Sequence, residues 1–189
     1  MTGGRSSASL RGARNKRDGM RLYSGKTPVI AEEIIRDLSA SGDIEVESAE
    51  EARLDVEAVL KEYVRLDREI LDEAKNRMEI RGLGYAHLGK MKSQVAKERG
   101  APKPDDALPY ILDQILNMLF HSNNIEEIYA EDTDLRQKIT PILRRHMEVE
   151  GELDKEVRSK IKNLQEGTAT FEIEYSRVMD EIKRKRGLS

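Results

Sequence analysis

From Thr27 onward apolar residues recur at helical spacing, with Ile30, Ile34, Ile35 and Leu38 on one face. Thr27-Pro28 reads as an N-cap followed by proline at the first helical position, which sets the start. Ser41-Gly42 predicts the stop, because glycine takes the left-handed cap conformation without steric cost. The stretch "DIEVE" then alternates, placing Ile44 and Val46 on one side of a short extended segment. Ser48 and Glu51 have the spacing of a capping box and open a much longer helix. Val56, Val59, Leu60, Tyr63, Ile70, Ala74 and Met78 form its near-heptad stripe. Arg81-Gly82-Leu83-Gly84 interrupts it. A shorter basic helix from about Ala86 to Glu98 follows and ends at Gly100, and "APKPDD" is the plainest linker in the chain.

After that linker the order begins again. Ile30, Ile34, Leu38, Ser41 and Ile44 match Ile111, Ile115, Leu119, Ser122 and Ile125, all 81 positions apart. "SGDIE" therefore lies over "SNNIE", and Asn123 is expected to take the positive φ of Gly42. Leu54 matches Leu135 at the same spacing, whereas Leu60 and Leu143 are 83 apart. The two extra residues fall beside Pro141, where a helix is expected to break or kink. Gly84 meets Gly167, and "KERG" ending at Gly100 meets "RKRG" ending at Gly187. The pattern predicts a tandem duplication in which each unit runs helix, short extended joint, long helix, glycine break, basic helix. It also predicts that Ile44 and Val46 pair with Ile125 and Ile128 as a minimal two-strand element.

Composition sharpens this picture. Charged residues are 37% of the chain and apolar residues 38%, which suits long helices with solvated faces. Two Phe, six Tyr and no Trp leave few rings for stacking. The absence of Cys excludes disulfides, thiolate metal sites and a cysteine nucleophile. No apolar run is long enough for a membrane span, and the basic residues 1–19 lack the apolar core of a secretory signal. They read as a disordered basic arm, and a cytoplasmic location is expected. Met20 opens a different text and reads equally as the true start of the protein or as the first residue after an arm.

Candidate chemistry is sparse. His146 and Glu150 stand four apart, the spacing of helical metal ligands, but His146 falls in register with Tyr63 on the apolar stripe. The expectation is a structural histidine and no metal. His121 lies over Ala40 in a helix cap, and His87 follows a glycine break. The three glycines of "RGLGYAHLG" follow no strand pattern, so a phosphate-loop reading is weak. No catalytic residue and no cofactor is expected.

The charges are segregated. Lys90, Lys92, Lys97 and Arg99 crowd the end of the first unit, and Lys183, Arg184, Lys185 and Arg186 the end of the second, with Arg177 nearby. Asp43 to Glu57 is acidic by contrast. Basic helix ends are commonly no more than dipole-compatible solvated termini, yet if brought together these residues would form a face able to hold phosphates. They are the candidate anion or nucleic-acid contacts.

The segments "MRLYSGKTPVIAEEIIRDLSASGDIEVE", "AEDTDLRQKITPILRRHMEVEGELDKEVRSKIKNLQEGT" and "EIEYSRVMDEIKRKRGL" resemble a bacterial family catalogued as domain of unknown function 507. The resemblance covers about Met20 to Leu188. It implies a soluble, mostly helical bacterial protein and carries no activity or site residues.

The reading is thus an all-α protein with four regions: an arm at 1–19, unit one at 20–100, a linker at 101–108 and unit two at 109–189. The leading function is non-enzymatic binding or assembly, with a protein partner or self-association expected and no membrane. The alternative is a nucleic-acid- or ribosome-associated factor using the basic helix ends. An enzyme is the third reading.

Overall fold

A computed structural model describes residues 20–165 and 168–188. The arm at 1–19 and the expected break at Gly167 lie outside the described residues. A single 3₁₀ turn at Ser24–Lys26 leads into α1 (Thr27–Ala40). Thr27 is buried, and its hydroxyl donates to the Ser24 carbonyl at 2.9 Å. It therefore tightens the entry turn, while the cap position itself falls on Lys26. The chain continues through β1 (Ile44–Val46), α2 (Ala49–Ile80), α3 (Leu88–Glu98), α4 (Ala107–His121), β2 (Ile125–Ile128), α5 (Asp132–Met147), α6 (Glu150–Lys160) and α7 (Ala169–Lys185). Both halves open with helix, strand, helix; the first then ends in α3 alone and the second in the pair α6 and α7, and the described chain is all-α apart from one two-strand pairing.

That pairing is the expected one. β1 and β2 are antiparallel, with Ile44 opposite Ile128 and Val46 opposite Ile125. A bulge beside Glu45 and Val46 leaves Glu126 as the extra residue. Ser48 caps α2, its hydroxyl accepting from the Glu51 amide at 3.3 Å, and Glu131 holds the equivalent place before α5.

The two extra residues of the second half lie in this ribbon and not beside Pro141. The spacing widens between Ile44/Ile125 and the cap positions Ser48/Glu131, and Ala52 and Leu135 are then both fully buried. Leu54, the expected counterpart of Leu135, is exposed. A bulged strand and its loop can absorb two residues, whereas two added inside a helix would turn its buried face by more than half a revolution. Pro141 sits within α5, which continues to Met147. It is exposed, so the carbonyl freed by its missing N–H faces the solvent side of the helix.

The helix breaks later, at Glu148-Val149, so the long helix expected in the second half is split into α5 and α6. The other departure is at the first joint. Gly42 takes φ +73°, but no non-glycine residue among those described has positive φ. At the end of α4 the chain leaves through Ser122 in extended geometry (ψ 135°). The Ser122 hydroxyl accepts from the Asn124 amide at 3.0 Å and donates to Asp55 at 2.6 Å, replacing the left-handed cap with side-chain bonds. Gly100 and Gly187, matched in sequence, do share one geometry, with φ +66° and +62°.

The largest core joins α1, the first half of α2, α4 and α5 beneath the ribbon. Ile30, Ile34, Leu38, Ile111, Ile115 and Leu119 are at most 1% exposed there, each contributing about 1.5–3 kcal/mol by burial. The second half of α2 packs against α3 through Ile70, Ala74, Met78, Met91 and Val95. Helices α6 and α7 pack chiefly on each other around Leu153, Val157, Phe171 and Ile182.

Residues 20–26 connect these parts. Leu22 is buried in the central core and its neighbour Tyr23 in the α6–α7 core. The Arg21 amide donates to the Met147 carbonyl at 3.0 Å, satisfying a group freed where α5 ends. The Gly25 amide reaches the Leu188 carbonyl at 3.4 Å. A Cβ on Gly25 would stand 2.1 Å from the Gly187 carbonyl oxygen. Gly25→Ala should therefore destabilise the fold by about 1–3 kcal/mol through overpacking against backbone. Gly89, in α3, has nothing within 4 Å of its added Cβ. Gly89→Ala should instead stabilise by about 0.5–1 kcal/mol. Urea unfolding of the two variants beside the parent protein checks both signs.

Candidate anion-binding cleft

The histidines build no site. His146 Nε2 lies 2.8 Å from Glu33 Oε2, joining α5 to α1, and Arg145 binds the other carboxylate oxygen. Burial of Glu33 opposes its ionisation, but the hydrogen bonds from His146 and Arg145 outweigh burial and hold the carboxyl below its ordinary value. His121 Nδ1 lies 2.7 Å from the Asn117 carbonyl, one turn back in its own helix. Among the described residues no group of three or more His, Cys, Asp or Glu is placed to hold a metal.

Most of the basic residues singled out in sequence are held by nearby carboxylates. Arg99 spans Glu69 at 3.1 Å and Glu73 at 2.5 Å on α2. Its hydrogen bond, opposed by partial desolvation and helped by Arg77, lowers the Glu73 carboxyl. Arg177 pairs with Glu174 at 2.7 Å and Lys185 with Glu181 at 2.6 Å, both within α7. Arg186 reaches back to Glu156 at 2.5 Å and Glu152 at 3.7 Å. Arg184 Nε donates to the Asp180 carbonyl at 3.4 Å. Lys90 and Lys97 are exposed and make no ion pair among the described residues.

Two of the nominated residues do converge. Lys92 of α3 and Lys183 of α7 line a single open cleft of about 660 Å³. One wall comes from α2 and α3, where Leu71 and Lys75, and Leu88 and Lys92, each stand one turn apart. The opposite wall is α7, where Phe171, Tyr175 and Met179 follow at one-turn spacing, with Arg158 from α6 beside them. Arg21, from the connecting segment, completes the lining. Five cations and the single carboxylate of Asp180 therefore surround the space.

Rings and a few acids position these cations. The Arg21 guanidinium and the Lys183 ammonium lie 5.6 and 5.5 Å from the centroid of the buried Tyr23 ring. Both are attracted by the negative face of that ring. Arg158 pairs with Asp154 at 2.9 Å and lies 5.9 and 5.8 Å from the Phe171 and Tyr175 centroids. Lys92 and Arg21 share one acid, Asp67, at 3.5 and 3.9 Å. Lys75 is exposed and pairs with no described carboxylate. Behind this wall Tyr63, Asp67 and Lys92 border a cavity of only about 10 Å³, room for one water. Burial, reinforced by the Asp67 charge, raises the Tyr63 phenol there.

Arg21, Lys75, Arg158 and Tyr85 were not legible as members of this cleft. Each sits outside the basic runs, and Arg158 lies among acids in "LDKEVRSK". Only their placement around one space groups them.

The Glu33 cluster yields a prediction with a definite sign. A carboxyl whose value is lowered on folding contributes stability above its ordinary value of 4.5, and that contribution disappears as pH falls through the lowered value. Glu33→Gln should thus be less stable than the parent near neutral pH, and the gap should close under acid. His146→Ala should cost about 1–3 kcal/mol near neutral pH by leaving a half-buried carboxylate short of a partner. Thermal melts across pH read both effects.

Comparison with known proteins adds the family. A search of the curated proteins returns no match. One family pattern, described as "Protein of unknown function (DUF507)", matches residues 20–188, which takes in the connecting segment, both strands and all seven α-helices of the described chain. The chain belongs to the DUF507 family.

Proposed function

We propose that the protein is a non-enzymatic binding protein that takes an anionic stretch of its partner into the cleft between α2–α3 and α6–α7. The observation that carries this reading is the gathering of five cations around one space in a chain whose net charge is −3. Walls of low polarisability focus such a field, so a local positive cleft attracts anions despite an acidic whole. Binding is favoured over catalysis because the lining holds no histidine and one carboxylate, which is no acid–base pair. No helix among the described residues is long and apolar enough to cross a membrane. The same reading treats residues 20–100 and 109–189 as two copies of one unit, supported by their shared opening of helix, strand and helix.

Binding of inorganic polyphosphate and of an oligo-glutamate peptide, titrated against salt, tests the site. Both should bind at low salt and release as salt rises. Lys75→Gln and Lys183→Gln should each weaken binding several-fold. Asp67→Asn should strengthen it by relieving Lys92 and Arg21 of their acid. Replacing Lys183, Arg184, Lys185 and Arg186 together should do little more than Lys183→Gln, because Lys185 and Arg186 are already paired. Absence of binding by either polyanion, or variants that leave it unchanged, overturns the assignment.

A further inference from the structure

We infer that the occupant of the cleft is single-stranded nucleic acid, with a base stacked on Tyr85 and the backbone phosphates met by Lys75, Lys92 and Lys183. This rests on the anion-binding reading and narrows its ligand class. The chain holds eight aromatic rings in all, two Phe and six Tyr. Three of them, Tyr85, Phe171 and Tyr175, line this one cleft. Scarcity over the whole sequence therefore does not carry over to the site.

Tyr85 is the telling residue. It stands on a 3₁₀ turn, Tyr85–His87, at the start of α3. Its side chain is 63% exposed, and it makes no hydrogen bond, ion pair or ring contact among the described residues. An unpartnered ring lining the same cleft as Lys75, which pairs with no described carboxylate, offers a π-face and a cation to one ligand. Across the cleft, Phe171 and Tyr175 stack at 5.9 Å with the Arg158 guanidinium over both. A guanidinium laid against rings presents a second flat surface on which a base stacks. Alternation of ring and cation is what a single strand requires, since its bases are free to stack and its phosphates repeat beside them. A duplex keeps its base faces inside and gives Tyr85 nothing to hold. An acidic peptide would meet the lysines without using the ring.

Fluorescence anisotropy on the full chain distinguishes these ligands. The probes are a labelled single-stranded oligonucleotide, as RNA and as DNA, a hairpin duplex, inorganic polyphosphate and oligo-glutamate. The single strand should bind tightest, with log affinity falling against log salt by about 0.7 per phosphate contact. Lys75→Gln should reduce that slope by about one contact. Tyr85→Ala should weaken the single strand by about 5- to 150-fold, the range that loss of one stacking contact gives, and leave polyphosphate unchanged. Tyr85→Phe should restore the affinity. Equal binding of polyphosphate or oligo-glutamate, with no effect of Tyr85→Ala, overturns the nucleic-acid assignment and leaves the anion cleft standing. A preference for duplex overturns it too. No binding by any polyanion removes both.

Discussion

The architecture turns on seven residues that are neither helix core nor loop. Met20 to Lys26 run between two bodies that otherwise pack chiefly within themselves. Leu22 and Tyr23, adjacent in sequence, are buried in different cores. Backbone bonds fix the strand of chain between them, at Met147 on one side and Leu188 on the other. The contact at Gly25 is close enough that no side chain fits. Fixing α6–α7 against the bundle in this way sets the width of the cleft and delivers Arg21 and the Tyr23 ring to its edge. A change in this segment would be felt at the cleft walls although it lies outside the long helices.

Charge on this protein is best understood pair by pair. With more than a third of the residues charged, most of the described Lys and Arg have a carboxylate one turn away or on a facing element. Such pairs add little stability when exposed, but they do cancel local potential. In the runs that look most basic in sequence, at the ends of α3 and α7, Lys92, Arg99, Lys185 and Arg186 are cancelled in this way. What remains uncancelled depends on geometry, and Lys75, which pairs with no described carboxylate, stands in the cleft where two helix pairs face each other.

Much of the fold was legible because it rests on local chemistry. Helical spacing placed α1 through α4, glycines at 42 and 100 marked helix ends, and alternation in "DIEVE" together with the repeat anticipated that Ile44 and Val46 lie beside Ile125 and Ile128. The failures share a cause. Asn123 was expected to mimic Gly42, but a serine hydroxyl and Asp55, far away in sequence, supply another cap. Pro141 was expected to break its helix, yet it faces outward, and the break falls where Arg21 offers Met147 a hydrogen bond. In each case a partner outside the local window decided the outcome. The cleft is the extreme instance, since its members come from five separate stretches and only Lys92 and Lys183 lay in the basic runs.

The contact between Gly25 and Leu188 also bears on the order in which the protein folds. Closing a loop that spans nearly the whole described chain costs entropy that rises slowly with length, but no native contact within it can be gained by waiting for that closure. The central bundle and the α2–α3 pair can form from shorter-range contacts. Leu22 and Arg21 can dock once the central bundle and α5 exist, but Tyr23 and Gly25 gain their partners only when α6, α7 and the turn at Gly187 are made. During synthesis Tyr23 and Gly25 emerge long before the helices they dock on, and the cleft is complete only once α7 is in place.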